Sequence, residues 1–231
     1  MATYMLVHGG WDGGWAWTPV AKKLRSTGHE VFTPTLTGSG ERAHLASPEI
    51  DLDTHILDVV NVLHYEDLHE VVLVGSSGGG MVITGVAEKA PERIDRLIYL
   101  DAFAPRDGES IWDMLGPELQ ASFEQVAEER GDGWRVPTDP DADRRTDVML
   151  KMVKQPLALT NPDAARLQRT YVLFTDRPPE NPLASVFGRI AARLREDKGW
   201  SYLERPFKHY PALDPDGGVD KVTELLLELI A

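Results

Sequence analysis

The sequence contains no cysteine, and that absence removes disulfide staples, thiolate nucleophiles and cysteine-ligated metals together. Positive charge is scarce as well: 24 Lys and Arg stand against 37 Asp and Glu, a formal net charge of −13. Such a surface repels phosphate backbones and anionic lipid, so neither nucleic acid nor a membrane is expected as a partner. Its ordinary consequence is solubility. Long apolar runs are missing too. Residues 1–4 lead straight into Met5-Leu6-Val7 and His8-Gly9-Gly10, without a basic n-region or a stretch long enough for a signal peptide or membrane span. The cytoplasm is the expected location. No His-Glu-x-x-His occurs and the 7 histidines are scattered, so no metal site is expected.

What is present suffices for one sizeable domain, or a core with an inserted cap: 231 residues, 42% of them hydrophobic. Short apolar runs alternate with amphipathic stretches. Strands are expected at Tyr4–Val7, Glu30–Phe32, Val71–Val74, Arg96–Leu100, Tyr171–Phe174 and Trp200–Leu203. Helices are expected at Pro19–Ser26, Leu52–Leu63, Met81–Lys89, Leu183–Leu194 and Val219–Ile230. Val71–Val74 is uninterrupted and rich in β-branched residues, as in a strand covered on both faces. This alternation predicts an α/β fold, a mostly parallel sheet with helices on both faces, and ligands then bind beyond the carboxyl ends of the strands. From Phe103 to Thr170 no clear strand is visible. A structureless loop of that length is improbable in a compact domain, so a helical cap is expected at 103–170, over a core of 1–102 and 171–231.

The strongest chemical signal is Gly75-Ser76-Ser77-Gly78-Gly79. It fits G-x-S-x-G in one register, with Ser77 central, between an expected strand and an expected helix. The chemistry needs a tight turn that holds the serine strained and exposed. The Gly78 amide, at the start of a helix, can then stabilise an oxyanion. A phosphate-binding turn is disfavoured, because no Lys-Ser/Thr follows the glycines and no G-x-G-x-x-G fits. His8-Gly9-Gly10-Trp11 follows the first strand, and the Gly10 amide can serve the same oxyanion; His8 itself is expected to be structural.

A serine nucleophile needs a base, and His209 is best placed, between the last expected strand and the final helix. The acid stays open between two aspartates. Asp176 follows the strand Tyr171–Phe174, but Arg177 beside it is a competing partner. Asp101 ends an apolar run, so it is expected to be buried and to need a partner; the lean is slightly to Asp101. Trp11 and the cap's Trp112 are expected to line the substrate pocket, while packing serves equally well for Trp15 and Trp17.

These residues together resemble the α/β-hydrolase superfamily, and within it the methylesterase and hydroxynitrile-lyase branch with its bacterial esterase relatives. The resemblance runs through Leu6–Gly10 with Gly14–Trp17, Thr35–Arg42, Val72–Gly80, Tyr99–Pro105 and the C-terminal His209, nearly the whole chain. It implies Ser77 as nucleophile, His209 as base and the Gly10 and Gly78 amides as oxyanion hole. Three departures matter. The residue before the nucleophile is Ser76 where the branch usually has histidine, and the one after it is Gly78 where a bulky residue is common. The branch's acid register falls on or near Pro178. The cyanogenic lyases of the branch carry threonine and lysine where this chain has Gly9 and Tyr210, so hydrolysis is preferred.

The expectation is a cofactor-free hydrolase of a small apolar or aromatic carboxylic ester, a methyl ester or related carbamate included, with a homodimer among the admissible assemblies. Its rivals are lyase, lactonase or secondary-metabolism chemistry on the same fold, and a small-ligand receptor.

Overall fold

Strands that are apolar on both faces must be covered on both sides, and the chain folds accordingly. The computed structural model describes residues 1–139, 141–177 and 182–230. Its elements run β1 (Thr3–Val7), α1 (Thr18–Ser26), β2 (Glu30–Phe32), α2 (Leu52–Tyr65), β3 (Val71–Ser76), α3 (Gly79–Lys89) and β4 (Ile94–Leu100). Then follow α4 (Ile111–Leu115), α5 (Pro117–Arg130), β5 (Arg135–Val136), β6 (Val148–Met149), α6 (Leu150–Lys154), β7 (Gln168–Phe174), α7 (Pro182–Glu196), β8 (Ser201–Arg205) and α8 (Gly218–Glu228). The main sheet has six strands in the order β2-β1-β3-β4-β7-β8, and every pairing in it is parallel. This is the α/β-hydrolase architecture expected above.

The two-residue period of the strands divides the core. Met5, Val7, Leu73, Leu97, Tyr99 and Tyr171 face the side covered by α2, α3 and α7. Tyr4, Leu6, Val72, Val74, Ile98 and Val172 face α1 and α8. Strand β3 lies between β1 and β4, so the loops leaving these three strands meet at one end of the sheet.

Between β4 and β7 the chain holds α4, α5 and α6 among irregular stretches, and also a small antiparallel pair: Arg135 opposite Met149 and Val136 opposite Val148. Two-residue strands leave no period to read, and this pair is held from outside. The Trp11 indole donates to the Val136 carbonyl at 3.2 Å, and the Thr146 amide to the Trp11 carbonyl at 2.9 Å. Strand β7 also begins earlier than expected, at Gln168, because Gln168, Arg169 and Thr170 pair with Arg96, Leu97 and Ile98 of β4.

Candidate active site

Strand β3 runs buried to Ser76, and Ser77 then turns the chain with φ of 51°, a left-handed conformation that non-glycine residues rarely adopt. The turn is pinned on both sides. The Ser77 amide donates to the Leu100 carbonyl at 3.4 Å, and the Ser77 carbonyl accepts from Phe103 at 3.0 Å and Gly80 at 3.1 Å. Helix α3 starts immediately after, with Gly78 as its N-terminal cap. It begins hard against β1: a Cβ on Gly79 would lie 2.7 Å from both the Val7 and the His8 carbonyl oxygens.

The loop after β1 closes over the serine. A Cβ on Gly9 would lie 2.7 Å from the Ser77 Cβ. One on Gly78 would stand 3.5 Å from the Gly10 nitrogen, so Gly10 and Gly78 adjoin beside the serine hydroxyl. His8 supports the loop, as expected. Its Nε2 accepts the Leu36 amide at 3.1 Å, which leaves Nδ1 to face the Gly9 carbonyl at 2.8 Å. Burial lowers its pKa to about 4, so this imidazole is neutral.

Strand β4 ends in Asp101, also left-handed with φ of 47° and fully buried. Its Oδ2 lies 2.5 Å from Nδ1 of His209. His209 is itself buried, stacked on Phe187 with ring centroids 5.1 Å apart. Its Nε2 has no hydrogen-bond partner among the described residues. Asp176 is elsewhere: it is exposed, and its amide donates to the Phe207 carbonyl at 3.1 Å. Arg177 pairs not with Asp176 but with Asp101, through Nη2 to Oδ1. The register at Pro178 lies outside the described residues.

Ser77 opens on a small cavity of about 30 Å³ lined by Gly10, Trp11, Gly78, Phe103, Ile111 and Leu115, with Phe123, Val148 and Met152 among its further walls. Trp11 is therefore at the pocket, with φ of 63° and its ring 6.1 Å from that of Phe123. Trp112 is not on this wall. Its ring lies under Lys154 Nζ at 4.3 Å, and its helix turns Ile111 and Leu115 to the cavity instead. The spacing of those two residues on an apolar helix face was the available signal for them. Trp17 is core, and Trp15 lies beneath Arg144 at 4.3 Å.

Among the described residues no group of three or more His, Asp or Glu could hold a metal ion, and no helix is long and apolar enough to cross a membrane.

Known proteins resemble this chain in sequence and in fold. The profile of the alpha/beta hydrolase family matches residues 5–220. The carbendazim hydrolyzing esterase of Nocardioides sp. (strain SG-4G) is 39% identical over all of this chain and 99% of its own length. Methylesterase 1 of Arabidopsis thaliana is 33% identical over 44% of this chain and 40% of its own. Among solved structures, an extracellular alpha/beta-hydrolase from a Paenibacillus species, described as sharing structural and functional homology with tobacco salicylic acid binding protein 2, superposes with a TM-score of 0.76. It is 23% identical and covers 99% of this chain and 98% of its own. The buried parallel sheet, the turn at Ser77 and this full-length likeness lead to one conclusion: the chain is an enzyme of the α/β-hydrolase family, with esterases and methylesterases as its relatives.

Proposed function

We propose that the chain is a serine-dependent carboxylic-ester hydrolase acting on a compact apolar or aromatic ester, with methyl esters and related carbamates in its range. The observation that carries the reading is the buried Asp101–His209 hydrogen bond with Nε2 left free, at the sheet end where Ser77 turns. Nε2 takes the proton as Ser77 Oγ attacks the ester carbonyl, and Asp101 holds the tautomer and stabilises the imidazolium. The Gly10 and Gly78 amides receive the oxyanion, each worth roughly 3–4 kcal/mol of barrier. The protonated imidazole then gives its proton to the leaving alcohol, and His209 activates water against the acyl-enzyme.

Two features favour ester cleavage over cyanogenic chemistry. A threonine side chain at position 9 would collide with Ser77, because even a Cβ there stands 2.7 Å from the Ser77 Cβ. Tyr210 occupies the place of the lyase lysine. The aliphatic and aromatic pocket walls suit an apolar acyl group. The relative's activity on carbendazim supports a small-ester or carbamate substrate for this chain.

Release of nitrophenol from p-nitrophenyl acetate and butyrate tests the reading. The wild-type protein is expected to turn both over, and Ser77→Ala to fall to the uncatalysed rate. Equal rates in the two proteins would remove Ser77 as nucleophile.

A further inference from the structure

Asp101 binds more than the histidine. While Oδ2 faces His209, Oδ1 accepts the Phe174 amide at 3.2 Å and Nη2 of Arg177. The same guanidinium group is anchored to the Phe174 carbonyl through Nε at 2.9 Å and again through Nη2. It lies 5.7 Å from the ring centroid of Phe187, the residue that stacks on His209. The Asp101 side chain is fully buried and that of Arg177 only 10% exposed. A charge pair this buried costs desolvation and persists only where its polar atoms are satisfied. Here both carboxylate oxygens accept hydrogen bonds, as an integrated site requires.

The other polar groups around the dyad do not duplicate this charge. Asp12, from the loop after β1, and Arg145, from the segment between β4 and β7, bind each other at 3.3 Å. The Tyr171 hydroxyl of β7 donates to the Ala102 carbonyl at 3.0 Å. Burial raises the phenol of Tyr210, whose ring meets that of His209 at 4.5 Å, to about 12. Both tyrosines are therefore neutral in the working range. Among the described residues Arg177 is the cation bound to Asp101.

We propose that Arg177 is a positioning residue of the esterase. Its guanidinium group fixes the Asp101 carboxylate against His209, and its charge offsets that of the carboxylate beside the imidazole. A carboxylate beside an imidazole favours the imidazolium, and a cation on that same carboxylate opposes it. The inference rests on the serine-esterase reading above, and its tests separate the two.

The profile of kcat/KM for p-nitrophenyl acetate from pH 5 to pH 8.5 is the readout, for wild type, Arg177→Gln and Arg177→Lys, each alone and with Asp101→Asn, after folding is checked by thermal melting. Arg177→Gln keeps hydrogen-bond donors and loses the charge, so its acid limb is expected to move up by about half to one pH unit. Arg177→Lys keeps the charge and is expected to hold the wild-type limb, with a lower plateau from the lost fork geometry. With Asp101→Asn, the Gln substitution is expected to shift nothing further, because its effect passes through the carboxylate. An Arg177→Gln limb that coincides with wild type overturns the proposal, as does a Lys limb displaced as far as the Gln limb. So does an undiminished shift in the Asp101→Asn background. Failure of the serine reading itself shows separately, as turnover surviving in Ser77→Ala.

Discussion

Ser77 and Asp101 share a rare property: each leaves its strand in the left-handed region, at φ of 51° and 47°. Such residues cost of order 1–3 kcal/mol each and persist where their surroundings over-determine them. Ser77 is held by the Leu100 carbonyl, and the Asp101 amide by that of Val172 at 2.8 Å, so two neighbouring parallel strands release two reactive side chains at one level. The acid role proposed for Asp101 can be checked. Asp101→Asn is expected to lower kcat by about 10³–10⁴, the scale seen when a triad acid is lost, with Asp176→Asn within about twofold of wild type, as for an exposed residue away from the site. The reverse ranking in steady-state assays would transfer the role to Asp176. Gly9→Ala is expected to lower both kcat and the melting temperature, because its Cβ would stand 2.7 Å from the Ser77 Cβ. The turn at Ser77 was legible in the sequence because glycine spacing encodes the turn itself. The pairing of Asp101 with His209 was not, because both aspartates follow strands and only a contact between residues 108 positions apart tells them apart.

At the scale of elements, the loops after β1 and β2 are welded to each other before any substrate arrives. Asp58 of α2 accepts the Thr37 amide at 2.6 Å, the Thr37 hydroxyl at 2.8 Å and Arg42 at 2.8 Å, and His8 ties Leu36 to the loop after β1. This weld predicts a pH dependence of stability. The ordinary histidine value is 6.5, and burial lowers His8 to about 4 in the folded protein. Between these values the unfolded chain binds a proton that the folded one refuses, so stability present above pH 6.5 is lost as pH falls towards 4. From pH 7 to pH 5 the loss is about 2 kcal/mol, or roughly 4–8 °C in melting temperature for a chain of this size. His55, also lowered by burial, adds in the same direction. His8→Asn is expected to start less stable and to melt with a flatter pH dependence. An equally steep profile in that variant would show that His8 is not the titrating group. The strands and helices of the sheet were legible because burial on one or two faces writes a period into the sequence. The β5–β6 pair was not, since its register comes from Trp11 and Thr146 rather than from its own residues.

At the scale of the molecule, the segment between β4 and β7 is tied to the loops that surround the site. Thr146 accepts the Gly40 amide at 3.1 Å through its hydroxyl and gives its own amide to Trp11. Arg145 binds Asp12 and lies 4.7 Å from the Tyr210 ring centroid, next to His209. The cavity left at Ser77, about 30 Å³, is smaller than the sites of small organic ligands, which span about 300–1,000 Å³. A ligand of that size needs more room than this cavity offers, and the Arg145–Asp12 pair is one of the contacts that hold the segment in place. Asp12 is buried and its pKa is raised by that burial, so removing Arg145 leaves the buried carboxylate without the cation that offsets its charge. Arg145→Ala is then expected to melt a few degrees lower while admitting larger acyl groups more readily. A partly exposed ion pair is worth about 0.5–1 kcal/mol, which corresponds to a two- to fivefold rise in the butyrate-to-acetate ratio of kcat/KM for the p-nitrophenyl esters. A lower melting temperature with an unchanged ratio would mean that the segment stabilises the fold without gating the site, and that room for the substrate is made elsewhere along the wall of Ile111, Leu115 and Phe123.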